Sequence, residues 1–474
     1  MAGALATNDD KVLVQALRCL LIVPQFALIK SNQTASAMEL AHQILCFCEG
    51  PDRDPRPPQP QKQATENKNE EEHPESKVPQ ESKENNVQES EEPIVISDLT
   101  PEQQRALKRA AWMASEGRFS KASQAIQQAA DGRSGVLDPD QDVTTKLREL
   151  HPESSKEPPA CPDSAPSGVP MVNFKLRKAG DRIANGSAPD IYGWTGELVR
   201  LLLRDQQCGT YVSKLVEAIR DGRICNAARH WLLLSWLIAV DKGNDKIRPI
   251  AGGTIFVKLA ATYLMETTNQ TKNVFTESGV QCGVFMPDGA SVAKHSVQLA
   301  LETHPHNVVI KVDFKNAFNS ISRFAILHYL FQQPLLMPFF RLADWIYGQP
   351  STLLLRNSRG APIASIPSEQ GVRQGCALGS LLFANATLRM LKDIRERCPL
   401  VEVLAYLDDV FLVGKTNDCL AALEQLTKDA GDMRLEVQPD KSEVLVPSLT
   451  RQRSNDSPPR GSVWSMGPCL SWAR

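Results

Sequence analysis

Apolar positions follow two periods along this chain, and the change of period divides it. Before about residue 304 they mostly recur at helical spacing. Leu107, Ala110, Ala111 and Ala114 follow Thr100-Pro101, where threonine can cap a helix and proline suits its first position. A second short helix is predicted over 120–130, and others over 195–204 and 211–221. The apolar runs 20–29 and 231–240 read as core helices, each too short to cross a bilayer. From residue 307 short strands alternate with helices. The β-branched run 308–312 is a strand and 322–331 a helix. Residues 352–355 and 361–366 flank Asn357-Ser358-Arg359-Gly360 and read as a hairpin. Leu378, Leu381, Leu382, Ala386, Leu388 and Leu391 mark one face of a long helix. Strands over 401–406 and 410–413 are parted only by Leu407-Asp408-Asp409. Cys419, Leu420, Leu423 and Leu426 mark another helix, and strands over 435–437 and 444–446 close the series. This order predicts an α+β fold, a sheet with helices packed on one face.

Composition alters the picture in one place. Residues 51–95 are rich in Pro, Glu, Gln, Lys and Ser and nearly lack large apolar side chains. Such a segment cannot bury enough surface to offset its chain entropy, so it is expected to be a disordered acidic linker. It holds 12 acidic and 6 basic residues, so a formal chain charge of −2 becomes +4 once it is set aside. That balance is too mild to exclude or demand a polynucleotide partner. The 11 cysteines include no Cys-x-x-Cys pair and read as reduced thiols. No signal peptide or transmembrane segment is recognisable, so a nuclear or cytoplasmic location is expected.

The candidate chemistry lies in carboxylates. Asp313 directly follows the 308–312 strand, and Asp408 and Asp409 occupy a hairpin tip. An Asp-Asp pair in a turn is most often solvated, because aspartate bonds its own backbone there. If the two strands are neighbours, however, three carboxylates converge, and like charges raise one another's pKa. Divalent metal relieves that cost. Mg²⁺ suits hard oxygen ligands, and two ions about 3.5–4 Å apart can activate a 3′-hydroxyl and stabilise leaving pyrophosphate.

Several segments in fixed order resemble the reverse transcriptases of LINE-type, non-long-terminal-repeat retrotransposons. They are Val312-Asp313-Phe314-Lys315-Asn316-Ala317-Phe318-Asn319, the run from Arg373-Gln374-Gly375-Cys376 to Phe383, Ala405-Tyr406-Leu407-Asp408-Asp409, and Asp440-Lys441-Ser442. Upstream, Lys246-Ile247-Arg248-Pro249-Ile250 and Gln281-Cys282-Gly283-Val284 resemble fingers segments of the same family. The likeness runs from about Trp194 to Val446. It implies the fingers and palm of a right-hand polymerase, the palm being a small antiparallel sheet. It also implies RNA-directed DNA polymerisation with an RNA template, a DNA primer, deoxynucleoside triphosphates and two Mg²⁺ ions, with Mn²⁺ a possible substitute.

The resemblance carries roles residue by residue. Asp313 and Asp408 are implied as metal ligands, with Asp409 as the neighbouring third carboxylate. Lys441 is implied as the proton donor to pyrophosphate. Lys246 and Arg248 would hold the triphosphate, and Gln374 and Gly375 would border the nucleotide pocket. The ring of Phe318 would exclude a 2′-hydroxyl, and a core role is its alternative. Arg373 is left open between supporting its loop and touching template. Cys376-Ala377 departs from the family, where proline often follows. The expected division is an N-terminal helical segment (1–50), the linker (51–95), a helical region and loop (96–170), fingers (171–304), palm (305–447) and an irregular tail (448–474). No thumb is visible after the palm, which suggests a truncated copy. Two other readings stand beside the polymerase: a non-catalytic remnant that binds RNA or a partner, and an RNA-dependent RNA polymerase.

Overall fold

The computed structural model describes residues 136–446 apart from 155, 163, 244, 269 and 358–360, together with parts of 10–21, the helix Pro101–Ser115, residue 126 and the strand Ser462–Ser465. The chain divides into two units, residues 54–135 and the remainder. In the smaller unit, helix Pro101–Ser115 starts at the predicted proline, with Ala110 and Met113 buried and Ala114 packed on them. The predicted linker lies outside the described residues, as does all of the predicted 120–130 helix except residue 126.

Among the described residues, the larger unit holds two sheets. Its strands are β1 (Ser235–Gly243), β2 (Lys246–Gly252), β3 (Val308–Val312), β4 (Ser351–Arg356), β5 (Pro362–Ser368), β6 (Glu402–Tyr406), β7 (Asp409–Gly414), β8 (Glu443–Val446) and β9 (Ser462–Ser465). One sheet runs β2-β1-β4-β5, with β1 and β4 parallel; the other runs β6-β7-β3-β8-β9 and is antiparallel throughout. The predicted 352–366 hairpin forms as β4 and β5 but joins β1 and β2 rather than the sheet bearing the acidic turn.

Three element assignments need correction. The apolar run 231–240 is not one helix. Helix Asn226–Leu233 ends, Leu234 is extended, and β1 begins at Ser235. Along β1, Leu237 and Ala239 join a core with Ala251, Leu353, Leu355 and Ile366, which is the period of two that a strand requires. Residues 435–437 make only a single bridge, Phe314 to Val437, and are not a strand. The tail is not wholly irregular, since β9 pairs with β8 from Glu443–Ser465 to Val446–Ser462.

Alternation along the antiparallel sheet decides which side chains meet what. Val308, Ile310, Val312, Val403, Ala405, Val410 and Leu412 face the main core, against helices Gly379–Arg397 and Thr416–Asp432 through residues such as Leu381, Phe383, Leu423 and Leu426. Val309, Lys311, Phe411 and Leu445 face the other way. Helix Gly289–Thr303 overlies part of that second face, leaving a cavity of about 390 Å³ lined also by Tyr406 and Asp409. Helices therefore approach both faces, and the expectation of a single covered face is corrected. Among the described residues, no helix is long and apolar enough to cross a membrane.

Buried polar groups tie the pieces together. Asp190 accepts from the backbone N–H of Tyr192 and Trp194, both at 2.9 Å, and from that of Ile255 at 3.0 Å, where helix Ile255–Thr267 begins after β2. Arg323 is 1% exposed and donates to the carbonyls of Gly371 and Ser368 and to the Ser368 hydroxyl.

Candidate active site

β3 lies beside β7, with Val312 opposite Val410. One step further, the ladder direction brings Asp313 beside Asp409, since residues opposite each other in an antiparallel pair have Cβ atoms ~5 Å apart. Tyr406 pairs with Asp409 across β6 and β7, so Leu407 and Asp408 alone form the turn. Leu407 has φ +57°, a left-handed conformation that costs a leucine roughly 1–2 kcal/mol. The tight turn fixes where Asp408 projects.

The Asp408 carboxyl senses its two acidic neighbours. Burial pushes the Asp408 carboxyl above its usual range, its own backbone N–H pulls it back, and the charges of Asp409 and Asp313 push it up again. Lys242, in the bulge of the β1–β2 ribbon, acts in the opposite sense on Asp408. The Asp409 carboxylate lies 3.3 Å from the Lys311 ammonium. Among the described residues, no group of three or more His, Cys, Asp or Glu side chains forms a ready-made metal cage. The donor set nevertheless suits Mg²⁺, which usually takes one or two carboxylates and keeps water and substrate phosphate for its remaining positions. A part-buried carboxylate pressed by two like charges is the environment a divalent ion relieves.

The backbone of Asp313 is held on both sides. Its N–H donates to the Ser442 hydroxyl at 3.1 Å, and its carbonyl accepts from the Gln438 N–H at 2.8 Å. The same Gln438 accepts from Lys441 Nζ at 2.6 Å, so the predicted lysine stands one short 3-10 turn from the acidic strand end. Phe318 is half-buried and stacks on Phe383 with ring centroids 4.6 Å apart. Its carbonyl accepts from the Val372 N–H at 2.7 Å, which puts it against the Gln374–Gly375 loop. Gly375 has φ +112°, and a Cβ there would lie 2.5 Å from the Ala251 carbonyl oxygen; the adjoining Gln374 carbonyl accepts from the Ala251 N–H at 2.7 Å. Only glycine fits that seam between the loop and β2. Lys246 and Arg248 are exposed on β2.

Residues 240–458 match the family model described as "Reverse transcriptase (RNA-dependent DNA polymerase)". Over 268 residues the chain is 28% identical to the "Retrotransposable element SLACS 132 kDa protein" of Trypanosoma brucei gambiense, covering 56% of this chain and 22% of that protein. Residues 240–458 thus carry a reverse transcriptase domain. It spans about a fifth of the length of this relative.

Within the reverse transcriptase domain, Arg373 resolves in favour of support. It is 6% exposed and donates to the Leu233 carbonyl at 3.0 Å and the Ser235 hydroxyl at 2.9 Å. Sequence reasoning missed Lys242, whose only signal was its place four residues before Lys246 on a basic ribbon. It also gave no role to Gln281, which is fully buried and bonds to the Leu407 backbone of the acidic turn.

Proposed function

We propose that the reverse transcriptase domain is an RNA-directed DNA polymerase that extends a primer 3′-hydroxyl with deoxynucleotides on an RNA template. The observation carrying this reading is the setting of Asp408: part-buried at the apex of a two-residue turn, with Asp313 and Asp409 both acting on its charge. Asp313 and Asp408 would hold two Mg²⁺ ions, or Mn²⁺ in their place, with Asp409 alongside. When bound, such ions activate the attacking hydroxyl and neutralise charge on the leaving pyrophosphate.

The remaining roles follow from position. Lys246 and Arg248 present exposed cations on β2 to a triphosphate, and a guanidinium can grip phosphate oxygens in a fork. Lys242 adds a third cation whose field reaches the acidic turn. Phe318, braced from behind by Phe383, would hold a rigid ring against the sugar and disfavour a 2′-hydroxyl. Gln374 and Gly375 would border the nucleotide. Lys441 would deliver a proton to pyrophosphate. Catalysis of this kind is mostly positioning and charge neutralisation.

The test is extension of a DNA primer on an RNA template by the chain in Mg²⁺. Asp408→Asn should abolish it. Equal extension by variant and parent would reject the ligand assignment, and no extension by the parent would reject the polymerase reading.

A further inference from the structure

We propose that Gln281 is a positioning residue for Asp408, clamping the turn that carries it in a conformation Leu407 would not hold unaided. Three observations converge. Gln281 is 0% exposed, and its side-chain amide closes on both polar groups of Leu407. Its Oε1 accepts from the Leu407 N–H at 2.8 Å, and its Nε2 donates to the Leu407 carbonyl at 3.3 Å. The same Oε1 accepts from the Gly283 N–H at 3.0 Å, which orients the amide. Second, the clamp is anchored to the strand entering the turn. The Cys282 N–H donates to the Ala405 carbonyl and the Ala405 N–H to the Val280 carbonyl, both at 2.7 Å, so residues 280–282 extend the sheet beyond β6. Third, Gly283 packs beside the same hydrogen bond, where a Cβ would lie 2.6 Å from both Leu407 N and Leu407 Cγ and 3.0 Å from Gln281 Oε1.

Leucine gains nothing intrinsic from a left-handed φ, and a two-residue turn with positive φ at its first central position normally takes glycine there. The amide of Gln281 supplies the missing compensation. If it is lost, the turn relaxes and Asp408 moves relative to Asp313. The kinetic consequence rests on the polymerase reading above; the clamp itself does not.

The experiment compares the full chain with Gln281→Met, Gly283→Ala and Gln281→Met/Leu407→Gly. Amide hydrogen exchange over residues 404–410 reads the turn directly. We expect about tenfold faster exchange in Gln281→Met, the effect of losing roughly two net hydrogen bonds. Primer extension should show kcat down about tenfold or more with KM for deoxynucleotide little changed. Glycine takes positive φ without cost, so Leu407→Gly should recover most of that kcat loss. A merely structural role for Gln281 would not be rescued in this way. Should Gln281→Met fail to fold, Gly283→Ala wedges a methyl into the same hydrogen bond and should give the same exchange and kcat pattern. Unchanged exchange in the folded variants, or a kcat loss that Leu407→Gly does not recover, would overturn the proposal. If the parent extends no primer, the polymerase reading falls while exchange still judges the clamp.

Discussion

Replacing Asp190 by asparagine should remove a large pH-dependent component of the fold's stability. Asp190 is 9% exposed and accepts three backbone N–H bonds, which by themselves would hold a carboxyl low. Burial outweighs them and raises it from 3.8 to about 6. A shift of about two units corresponds to about 3 kcal/mol against the charged form in the fold. This contribution to stability is fully present below pH 3.8 and is lost as pH rises through about 6. Between pH 4.5 and 7.5 the loss comes to about 2 kcal/mol. Asparagine cannot ionise, so the parent-minus-variant difference in unfolding free energy should fall by that amount across the window. A constant offset of about 1–3 kcal/mol is also expected, because the new NH₂ faces the Ile255 N–H and leaves it without an acceptor. Urea unfolding of both proteins at half-unit pH steps measures the difference. A difference that stays level within about 0.5 kcal/mol would refute the argument that burial governs this carboxyl.

Arg323→Met should destabilise the domain by about 2–4 kcal/mol, read by urea unfolding, because the buried Gly371 and Ser368 carbonyls lose their donor. Gly375→Ala should cost about 1–3 kcal/mol from strained φ and lower polymerase activity, since the loop must lift off Ala251. Normal activity and melting temperature would contradict that seam. Phe318→Ala should raise the ratio of ribonucleotide to deoxyribonucleotide incorporation, and an unchanged ratio in competition assays would remove the gate role.

Local signals served the sequence reading well where partners are close along the chain. Strands 401–406 and 410–413 around a two-residue tip leave little alternative to a hairpin, so the acidic apex was legible. The helix caps Thr195 and Ser322 lie next to the elements they start. Distant partners hid the rest. Trp231 to Val240 is apolar except for Ser235, and its second half becomes a strand through pairing with β2 nearby and with β4 more than a hundred residues away. Arg373 was ambiguous because its acceptors come from Leu233 and Ser235. Gln281 was marked only as part of a fingers-like segment, since its role depends on a strained leucine 126 residues downstream. The 352–366 hairpin was found, but its sheet was not, because a strand's own sequence does not name its neighbour.

The seam at Ala251 limits how the basic ribbon can travel. Near its root, β2 is pinned by the Gln374 carbonyl and pressed by Gly375, and Ser235 at the start of β1 is gripped by Arg373. Toward the opposite end, Lys242 lies in the bulge between Asp241 and Gly243, Lys246 just past it, and Arg248 opposite Val240 just before it. The ribbon is thus a cantilever: its fixed end cannot rotate without breaking buried bonds, so any displacement of its cations must come from flexing of its outer half. Slow amide exchange at Ala251 beside fast exchange at Ile247 and Arg248 would be the signature of that bending, and equal rates along the whole ribbon would contradict it.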